Sequence, residues 1–410
     1  MEKLYGNAIV GQSGGPTAAI NATLAGVIRG AIASDAIGTV YGARNGIEGV
    51  LKKTLINLSN MTEDDLSLLE NTPAAALGSC RKKLPKDFEG ENRKVFEEIL
   101  EVFREYDIRY FFYIGGNDSM DTVAKLSRFT KSVGYEMRVM GVPKTIDNDL
   151  AGTDHTPGYG SAAKYIATTM QEILRDTAVY TVKAVTIVEI MGRDAGWLTA
   201  AAALPSLYTN VAPDLVYLPE VPFDFDQFYA DLEKAFEKHP NVVVAVSEGV
   251  RTADGIYVGE GTQSGATDAF GHKYLSGTGK ALELAVKNKF GCKVRSVELN
   301  LPQRCASHLA SLTDLTESVA IGKAAAEYAT DGATGKMMTF VRSEGEAYEI
   351  GIAASDISGI ANAVRSVPRN YINERGNGVT QECLNYIAPL IIGEPKIVFE
   401  GGLPKHFSFA

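Results

Sequence analysis

The stretch Gly141-Val-Pro-Lys-Thr-Ile-Asp-Asn-Asp149, with Ile114-Gly-Gly-Asn-Asp-Ser119 before it, decides the fold of this chain. Each stretch ends an apolar run, Val139-Met-Gly-Val142 or Tyr110-Phe-Phe-Tyr-Ile114, and passes into small, polar and acidic residues. Continuous apolar runs of this length are typical of strands that are buried on both faces. We therefore predict two parallel strands that deliver their loops to one edge of a sheet, where ligands usually bind.

These two loops combine phosphate-binding groups with carboxylates. Their glycines allow a ligand to approach the backbone, and Lys144 adds a cation. Asp118, Asp147 and Asp149 add the carboxylates. Backbone amides and a cation suit a phosphate, and a carboxylate beside them can act as a base toward a hydroxyl. The loops therefore indicate phosphoryl transfer onto an alcohol.

Composition limits the other classes of function. A chain of 410 residues is long enough for two domains, and its net charge of −10 argues against nucleic-acid binding. We expect no signal peptide and no membrane span, because no apolar stretch is long enough. The four cysteines form no Cys-x-x-Cys pair, and the five histidines are scattered, so we expect no zinc site. These features predict a reduced cytoplasmic protein.

Apolar patterns typical of strands alternate with helical patterns along the chain. This alternation predicts an α/β fold with parallel-rich sheets flanked by helices. The predicted strands are 7–11, 39–42, 109–114, 138–142, 184–190, 242–247 and 294–299. The predicted helices are 18–31, 91–105, 119–132, 162–176, 225–237, 278–289 and 315–329.

Smaller features of the loops leave alternatives open. Gly11-Gln-Ser-Gly-Gly15 opens the first helix and suits an anion, although such turns also occur for packing, and Pro16 suits the first turn. Ser119 is predicted to cap the next helix. Asn117 is either an oxygen ligand or a turn residue in the left-handed conformation. Because the two aspartates of Asp147-Asn-Asp149 are two residues apart, an extended backbone would point both the same way.

The two loops resemble the phosphofructokinase family. Most members have Gly-Gly-Asp-Gly-Ser and Pro-Gly-Thr-Ile-Asp-Asn-Asp at these places, whereas this chain has Asp118 and Lys144 in place of two glycines. In the family, this pair of changes marks enzymes that use pyrophosphate instead of ATP. The resemblance extends from Gly11 to about Asp356, and the chain from Asn370 onward carries little signal.

The resemblance implies two Rossmann-like domains with the active site in the cleft between them. Residues 1–160 with 303–355 would form the phosphoryl-donor domain, and 161–302 with 356–410 the sugar-phosphate domain. The implied reaction is Mg²⁺-dependent, reversible transfer from pyrophosphate to the C1 hydroxyl of fructose 6-phosphate, a step of glycolysis and gluconeogenesis. A homodimer or homotetramer that shares its active sites across an interface is also implied.

The family motifs assign roles residue by residue. By resemblance Asp147 is the general base, Asp149 supports it electrostatically, and Arg81 neutralises charge on the transferred phosphate. Asp118 would repel ATP where its α-phosphate would lie, and Lys144 would neutralise pyrophosphate; the alternative is a surface Asp–Lys pair of little consequence. The implied substrate contacts are Gly15, Gly116, Thr145, Ile146, Met191, Gly192, Arg193, Glu248, Arg295 and Arg304, with Asn117 at the metal and Arg295 acting across a subunit interface.

Two further residue types are interpreted as structural. Trp197 is predicted to lie in the core. Lys82 and Lys83 either extend the positive field of Arg81 or form a solvated basic run, and the second alternative is preferred. The first competing function is an ATP-dependent phosphofructokinase, which Asp118 and Lys144 disfavour. Diacylglycerol-kinase-like or NAD-kinase-like proteins lack the companion motifs, and no dehydrogenase fingerprint opens the first helix. A non-catalytic sugar-phosphate-binding protein is disfavoured because the base, Asp147, is present.

Overall fold

A computed structural model describes residues 3–260, 277–345, 347–360 and 363–409. Strands and helices alternate through the described chain. The strands are β1 (Gly6–Gln12), β2 (Ile37–Ala43), β3 (Leu55–Asn57), β4 (Ile108–Gly115), β5 (Arg138–Pro143), β6 (Ala184–Ile190), β7 (Leu215–Tyr217), β8 (Asn241–Ser247), β9 (Lys293–Glu298), β10 (Lys336–Arg342), β11 (Ile350–Asp356), β12 (Phe399–Glu400) and β13 (Leu403–Pro404). The helices are α1 (Ile20–Ile32), α2 (Gly46–Leu51), α3 (Glu63–Glu70), α4 (Arg93–Glu105), α5 (Asn117–Ser132), α6 (Tyr159–Thr177), α7 (Trp197–Ala201), α8 (Phe225–Phe236), α9 (Thr278–Phe290), α10 (Pro302–Cys305), α11 (Leu312–Thr330) and α12 (Gln381–Ile387).

The larger sheet carries both decisive loops. Among the described residues it has seven strands in the order β11-β10-β5-β4-β1-β2-β3. Its central strands β2, β1, β4, β5 and β10 are parallel, and β3 and β11 pair antiparallel at the edges. β4 and β5 pair in register up to Gly115 and Pro143, so the two loops leave the sheet side by side. The predicted arrangement of these strands is confirmed.

The smaller sheet contains four described strands in the order β7-β8-β6-β9, and all of its pairs are parallel. Side chains on its two faces belong to different clusters: Val188 and Ile190 pack with α6 and α7, whereas Val185 and Ile187 pack toward α8 and α9. The larger sheet is covered on both faces in the same way. Two helix-flanked, parallel-rich sheets confirm the α/β fold class.

Each predicted strand and helix is present, with ends that differ by a few residues. Trp197 is fully buried, which confirms it as a core residue. Two local predictions were wrong. Pro16 precedes α1, which begins only at Ile20, where Thr17 Oγ1 accepts a hydrogen bond from the Ile20 amide. Ser119 lies inside α5, because the helix already begins at Asn117 with Gly116 as its N-cap.

No described helix is both long and apolar enough to cross a membrane. The predicted division of the chain between two domains stays a prediction.

Candidate active site

A cavity of about 460 Å³ lies between loops that follow strands of the larger sheet and loops that follow strands of the smaller one. It collects most of the residues singled out from the sequence: Gly15, Arg81, Gly116, Asn117, Asp118, Lys144, Thr145, Asp147, Asp149, Arg193 and Glu248. Residues that were not predicted to belong to the site also line it: Gly14, Lys83, Ser119, Asp194, Ala195 and Val364. Loops from distant parts of the chain thus form one polar, charged cleft.

Lys144 connects the loops that follow β1 and β5. Its side chain is buried, and its Nζ donates a hydrogen bond of 2.6 Å to the carbonyl oxygen of Gly15. Burial lowers the pKa of Lys144 to about 8, although the carboxylate of Asp147 opposes that change. The ammonium therefore lies beside the glycine-rich turn and is poorly hydrated. An anion that binds in the cleft would be its strongest electrostatic partner.

Asp118 faces a different lysine from the one that the sequence emphasised. The Nζ of Lys83 lies 3.0 Å from Asp118 Oδ1, and both side chains are partly exposed at the cleft. Lys83 is exposed, as predicted, but it also lines the cavity, because the chain after Arg81 passes along the cleft and brings Lys83 to α5. Lys82 is exposed, as predicted.

Asn117 carries a buried acceptor with no partner. Its Oδ1 is buried and makes no hydrogen bond to any described residue. The left-handed alternative was wrong, because Asn117 is the first residue of α5 and does not have a positive φ. Leaving a buried oxygen unsatisfied is costly, so this one is available to a ligand in the cleft. No group of three or more His, Cys, Asp or Glu side chains placed to hold a metal occurs in the described part of the chain.

Asp147 and Asp149 both line the cavity, but the backbone between them is not extended. Asn148 has φ of 54° and is fully buried. Burial raises the pKa of Asp147 against the opposing charges of Arg193 and Lys144. Burial and the nearby charge of Asp147 raise the pKa of Asp149 to about 7. The pair thus has the raised proton affinity that a general base near neutral pH requires.

A second cavity of about 310 Å³ adjoins the first, because Arg81 and Glu248 line both. Met191 and Arg304 are its other predicted residues. The unpredicted ones are Glu189, Ile190, Glu298, Asn300, Leu301 and Gln303. Burial raises the pKa of Glu248 to about 8, with a contribution from Asp147. Burial, with the charge of Arg81 next, lowers the pKa of Arg304.

Backbone contacts fix the loop that carries Arg193. Glu248 Oε1 accepts a hydrogen bond of 3.3 Å from the amide of Gly192, and Ser247 Oγ donates one of 2.6 Å to its carbonyl oxygen. A Cβ on Gly249 would lie 1.9 Å from the carbonyl oxygen of Arg193, so only glycine fits there. The glycine of Ser247-Glu-Gly249 therefore allows the two loops to meet.

Three predicted residues line neither cavity. Ile146 is buried in the hydrophobic core below the acidic loop, and Gly192 contributes through its backbone. Arg295 is exposed on β9, beside a small recess that also involves Tyr180 and Lys293. The described chain therefore does not bring Arg295 to its own cleft.

Glu189 is the clearest residue that sequence reasoning missed. It is buried, accepts a hydrogen bond of 2.7 Å from the amide of Gly279, and lies in the wall of the second cavity. Burial raises its pKa to about 7. The signal was present in the sequence, because a single acid within the apolar strand Ala184–Ile190 is unusual unless it has a partner.

Known proteins resemble this chain over most of its length. A model of the phosphofructokinase family matches residues 7–329. A pyrophosphate--fructose 6-phosphate 1-phosphotransferase of Halomonas elongata is 44% identical over 402 residues, covering 97% of this chain and 95% of that protein. One of Xanthomonas campestris pv. campestris is 43% identical over 406 residues, covering 98% and 96%. The crystal structure of a pyrophosphate-dependent phosphofructokinase from Nitrosospira multiformis superposes with a TM-score of 0.88 at 38% identity, covering 98% of this chain and 95% of that chain.

Proposed function

This chain belongs to the phosphofructokinase family, and we propose that it transfers a phosphoryl group from pyrophosphate to the C1 hydroxyl of fructose 6-phosphate. The products are fructose 1,6-bisphosphate and phosphate. One phosphoanhydride is broken and one phosphate ester is made, so the reaction is readily reversible. The observation that carries the donor assignment is that Asp118 and Lys144 line the same cavity as the two glycine-rich turns.

The donor lies against the turns at Gly14–Gly15 and Gly115–Gly116. Backbone amides there and the N-terminus of α5 favour an anion. Asp118 at the start of α5 adds bulk and negative charge where a longer nucleotide would continue. Lys83 offsets part of that charge through its ion pair with Asp118. Discrimination against ATP therefore combines steric exclusion with an electrostatic repulsion that Lys83 reduces. Each ~1.4 kcal/mol by which these effects weaken ATP binding lowers the affinity for ATP tenfold.

Asp147 takes the proton from the attacking C1 hydroxyl. Its raised pKa makes it a stronger base than a solvated aspartate, and the cations Arg193 and Lys144 oppose the rise by favouring the ionised form that catalysis requires. Asp149 supports it electrostatically. Glu248 lies where it can bond the sugar hydroxyls, and Arg304 in the second cavity binds the 6-phosphate.

Lys144 and Arg81 stabilise the charge that is shared between the donor and the departing phosphate. Little covalent chemistry is needed from the protein, so positioning and electrostatic stabilisation supply most of the rate. The lowered pKa of Lys144 reflects a cation that burial deprives of solvent, and binding the anionic donor restores its preference for the charged form.

Asn117 fits a Mg²⁺ ion that arrives with pyrophosphate. Mg²⁺ keeps several waters and is held by few protein oxygens together with substrate phosphates, so the unpartnered Asn117 Oδ1 suits it without a cluster of acids. When bound, the ion supplies positive charge to the phosphate oxygens. Because an amide oxygen is neutral, Asn117 alone would bind Mg²⁺ weakly, and binding of the ion would depend on the phosphate oxygens of pyrophosphate.

The position of Arg295 supports a shared active site. It is exposed on β9 and outside its own cleft, so we place it at the 6-phosphate of a neighbouring subunit in a homodimer or homotetramer. The proposed donor domain is residues 1–160 with 303–355, and the proposed sugar-phosphate domain is residues 161–302 with 356–410. A cytoplasmic location belongs to the same proposal.

The test is steady-state turnover of fructose 6-phosphate with Mg²⁺ and either pyrophosphate or ATP. We expect activity with pyrophosphate and little with ATP. The double variant Asp118→Gly, Lys144→Gly should lose pyrophosphate activity and gain turnover with ATP. Equal or better use of ATP by the unmodified protein would overturn the donor assignment. Failure with both donors would favour a non-catalytic sugar-phosphate-binding protein.

A further inference from the structure

The acidic loop 145–149 has a backbone that needs support. Asn148, between the two aspartates, has φ of 54°, a left-handed conformation that asparagine tolerates better than most residues but less readily than glycine. It is also fully buried, so its amide must find partners within the protein. Its Oδ1 accepts a hydrogen bond of 3.1 Å from the amide of Thr156, and its Nδ2 donates one of 3.0 Å to the hydroxyl of Tyr386.

The Tyr386 hydroxyl is a junction with all of its hydrogen-bonding capacity used. It donates a bond of 2.7 Å to the carbonyl oxygen of Asp154. It accepts one of 3.0 Å from Asn148 and one of 3.1 Å from the NH2 group of Arg365. A phenol has one donor and two acceptor positions, so each of these bonds fills one of them. The aromatic ring is buried against Trp197, which limits its movement.

Arg365 holds the end of the same loop through its backbone. Its amide donates a hydrogen bond of 2.8 Å to the carbonyl oxygen of Asp149, and Leu150 and Val364 form a β-bridge beside it. The indole of Trp197 donates a bond of 3.0 Å to the Arg365 carbonyl oxygen, and the guanidinium lies 4.4 Å from the centre of the Trp197 ring. The loop is therefore held at Asn148 and at the two residues after it by side chains and backbone from residues 364–386.

We propose that Tyr386 is a positioning residue for the reaction: through Asn148 it holds the loop so that Asp147 points at the attacking hydroxyl. This rests on the proposed phosphoryl transfer. Tyr386 is not among the described residues that line the cleft, and its hydroxyl bonds to Asn148, Arg365 and Asp154 rather than to the donor turns. Its effect should therefore appear in the chemical step and spare the binding of pyrophosphate.

The experiment is Tyr386→Phe, which removes the hydroxyl and keeps the ring. Because displacements of about 1 Å in a catalytic group can cost ~10²-fold in rate, we expect kcat to fall by about 10–100-fold. The KM for pyrophosphate should stay within about twofold, since uniform donor binding is not altered. The acid limb of the pH–rate profile should also move, because the environment of Asp147 changes. Tyr371→Phe is the matched control: Tyr371 packs beside Tyr386 and makes no hydrogen bond to the acidic loop in the described chain.

A second variant separates positioning from stability. Asn148→Gly tolerates the left-handed backbone but removes the link to Tyr386. If Tyr386 acts through Asn148, adding Tyr386→Phe to Asn148→Gly should lower kcat little further, a non-additivity that a general loss of stability does not produce.

The possible outcomes separate the positioning role of Tyr386 from the proposed phosphoryl transfer. A Tyr386→Phe protein with a lower melting temperature but unchanged kcat and pH profile would overturn the positioning role, as would additive losses in the double variant. If Tyr386→Phe does not fold, the kcat of Asn148→Gly becomes the test. A wild-type kcat in the Asn148→Gly protein would then overturn the positioning role of Tyr386. If the unmodified protein turns over neither donor, the proposed function falls, and this inference with it.

Discussion

Replacing Asp147 with asparagine should remove activity and leave the protein at least as stable. Asparagine keeps the size of the side chain and its carbonyl oxygen but cannot accept the proton of the sugar hydroxyl. Loss of a general base typically costs ~10²–10⁴ in kcat. At about 1.36 kcal/mol for each tenfold change, this is about 3–5 kcal/mol of transition-state stabilisation.

The stability effect follows from the pKa of the same group. Burial raises the pKa of Asp147 in the folded protein more than Arg193 and Lys144 lower it. The ionised carboxylate therefore destabilises the folded state at pH above that raised pKa. Asp147→Asn should unfold at the same or higher temperature at pH 8. The advantage should shrink as the pH falls through the raised pKa and disappear below about 3.8, where the wild-type carboxyl is protonated in both states.

The assay pairs pyrophosphate-dependent kcat with thermal unfolding across this pH range. Asp254→Asn is the control, since Asp254 is an exposed acid in a turn outside the helices and the same change there should alter neither quantity. Loss of a general base should lower kcat by ~10²-fold or more. If Asp147→Asn kept a kcat above about a tenth of the wild-type value, the base assignment would be refuted. A melting temperature well below wild type at pH 8 would refute the electrostatic argument.

Three other predictions concern titrating groups. The kcat/KM for pyrophosphate should fall above pH 8, because the pKa of buried Lys144 is lowered to about 8, and Lys144→Met should lack this limb. Glu248, whose pKa is raised to about 8 by burial, is protonated at neutral pH; Glu248→Gln should keep most activity, whereas Glu248→Ala should raise the KM for fructose 6-phosphate about tenfold. Burial alone would lower the pKa of His155, but hydrogen bonds to Asp154 and Glu317, each 2.8 Å, raise it. His155→Gln should therefore cost about 3–5 kcal/mol of unfolding free energy at pH 6, below the ordinary histidine pKa of 6.5, and the cost should shrink as the pH rises through the raised pKa of the folded protein, as measured by denaturant unfolding.

The sequence predicted the parallel framework because that framework depends on local patterns. Apolar runs such as Tyr110–Ile114 are buried in strands wherever they occur, and helices with one apolar face pack on them. β10 and β11 were not predicted. β11 carries an intermediate burial pattern at the sheet edge and pairs antiparallel, so neither continuous apolarity nor the strand–helix alternation marks it.

The sequence predicted most of the residues that line the cleft, but it did not predict which of them contact one another. Glycines and acids at strand ends predicted which loops meet, because parallel strands end at one edge of their sheet. The partners within the cleft were not predictable in the same way. Asp118 and Lys144 occupy two motif loops, yet Asp118 pairs with Lys83 and Lys144 bonds to Gly15, since the path of the chain after Arg81 is set by tertiary packing.

The support of the acidic loop lies in the part of the chain that carried the least sequence signal. Tyr386 is 238 residues from Asn148, and no periodicity or motif near Asn370–Tyr386 indicates the contact. A motif reports the residues that touch the substrate, because their chemistry is recognisable in any context. The residue that holds such a motif in a left-handed conformation needs only a hydroxyl at the right place, and many folds can supply that from any segment. Loop geometry such as the φ of 54° at Asn148 is therefore the observation from which positioning residues are found, since strain that persists must be stabilised by neighbours.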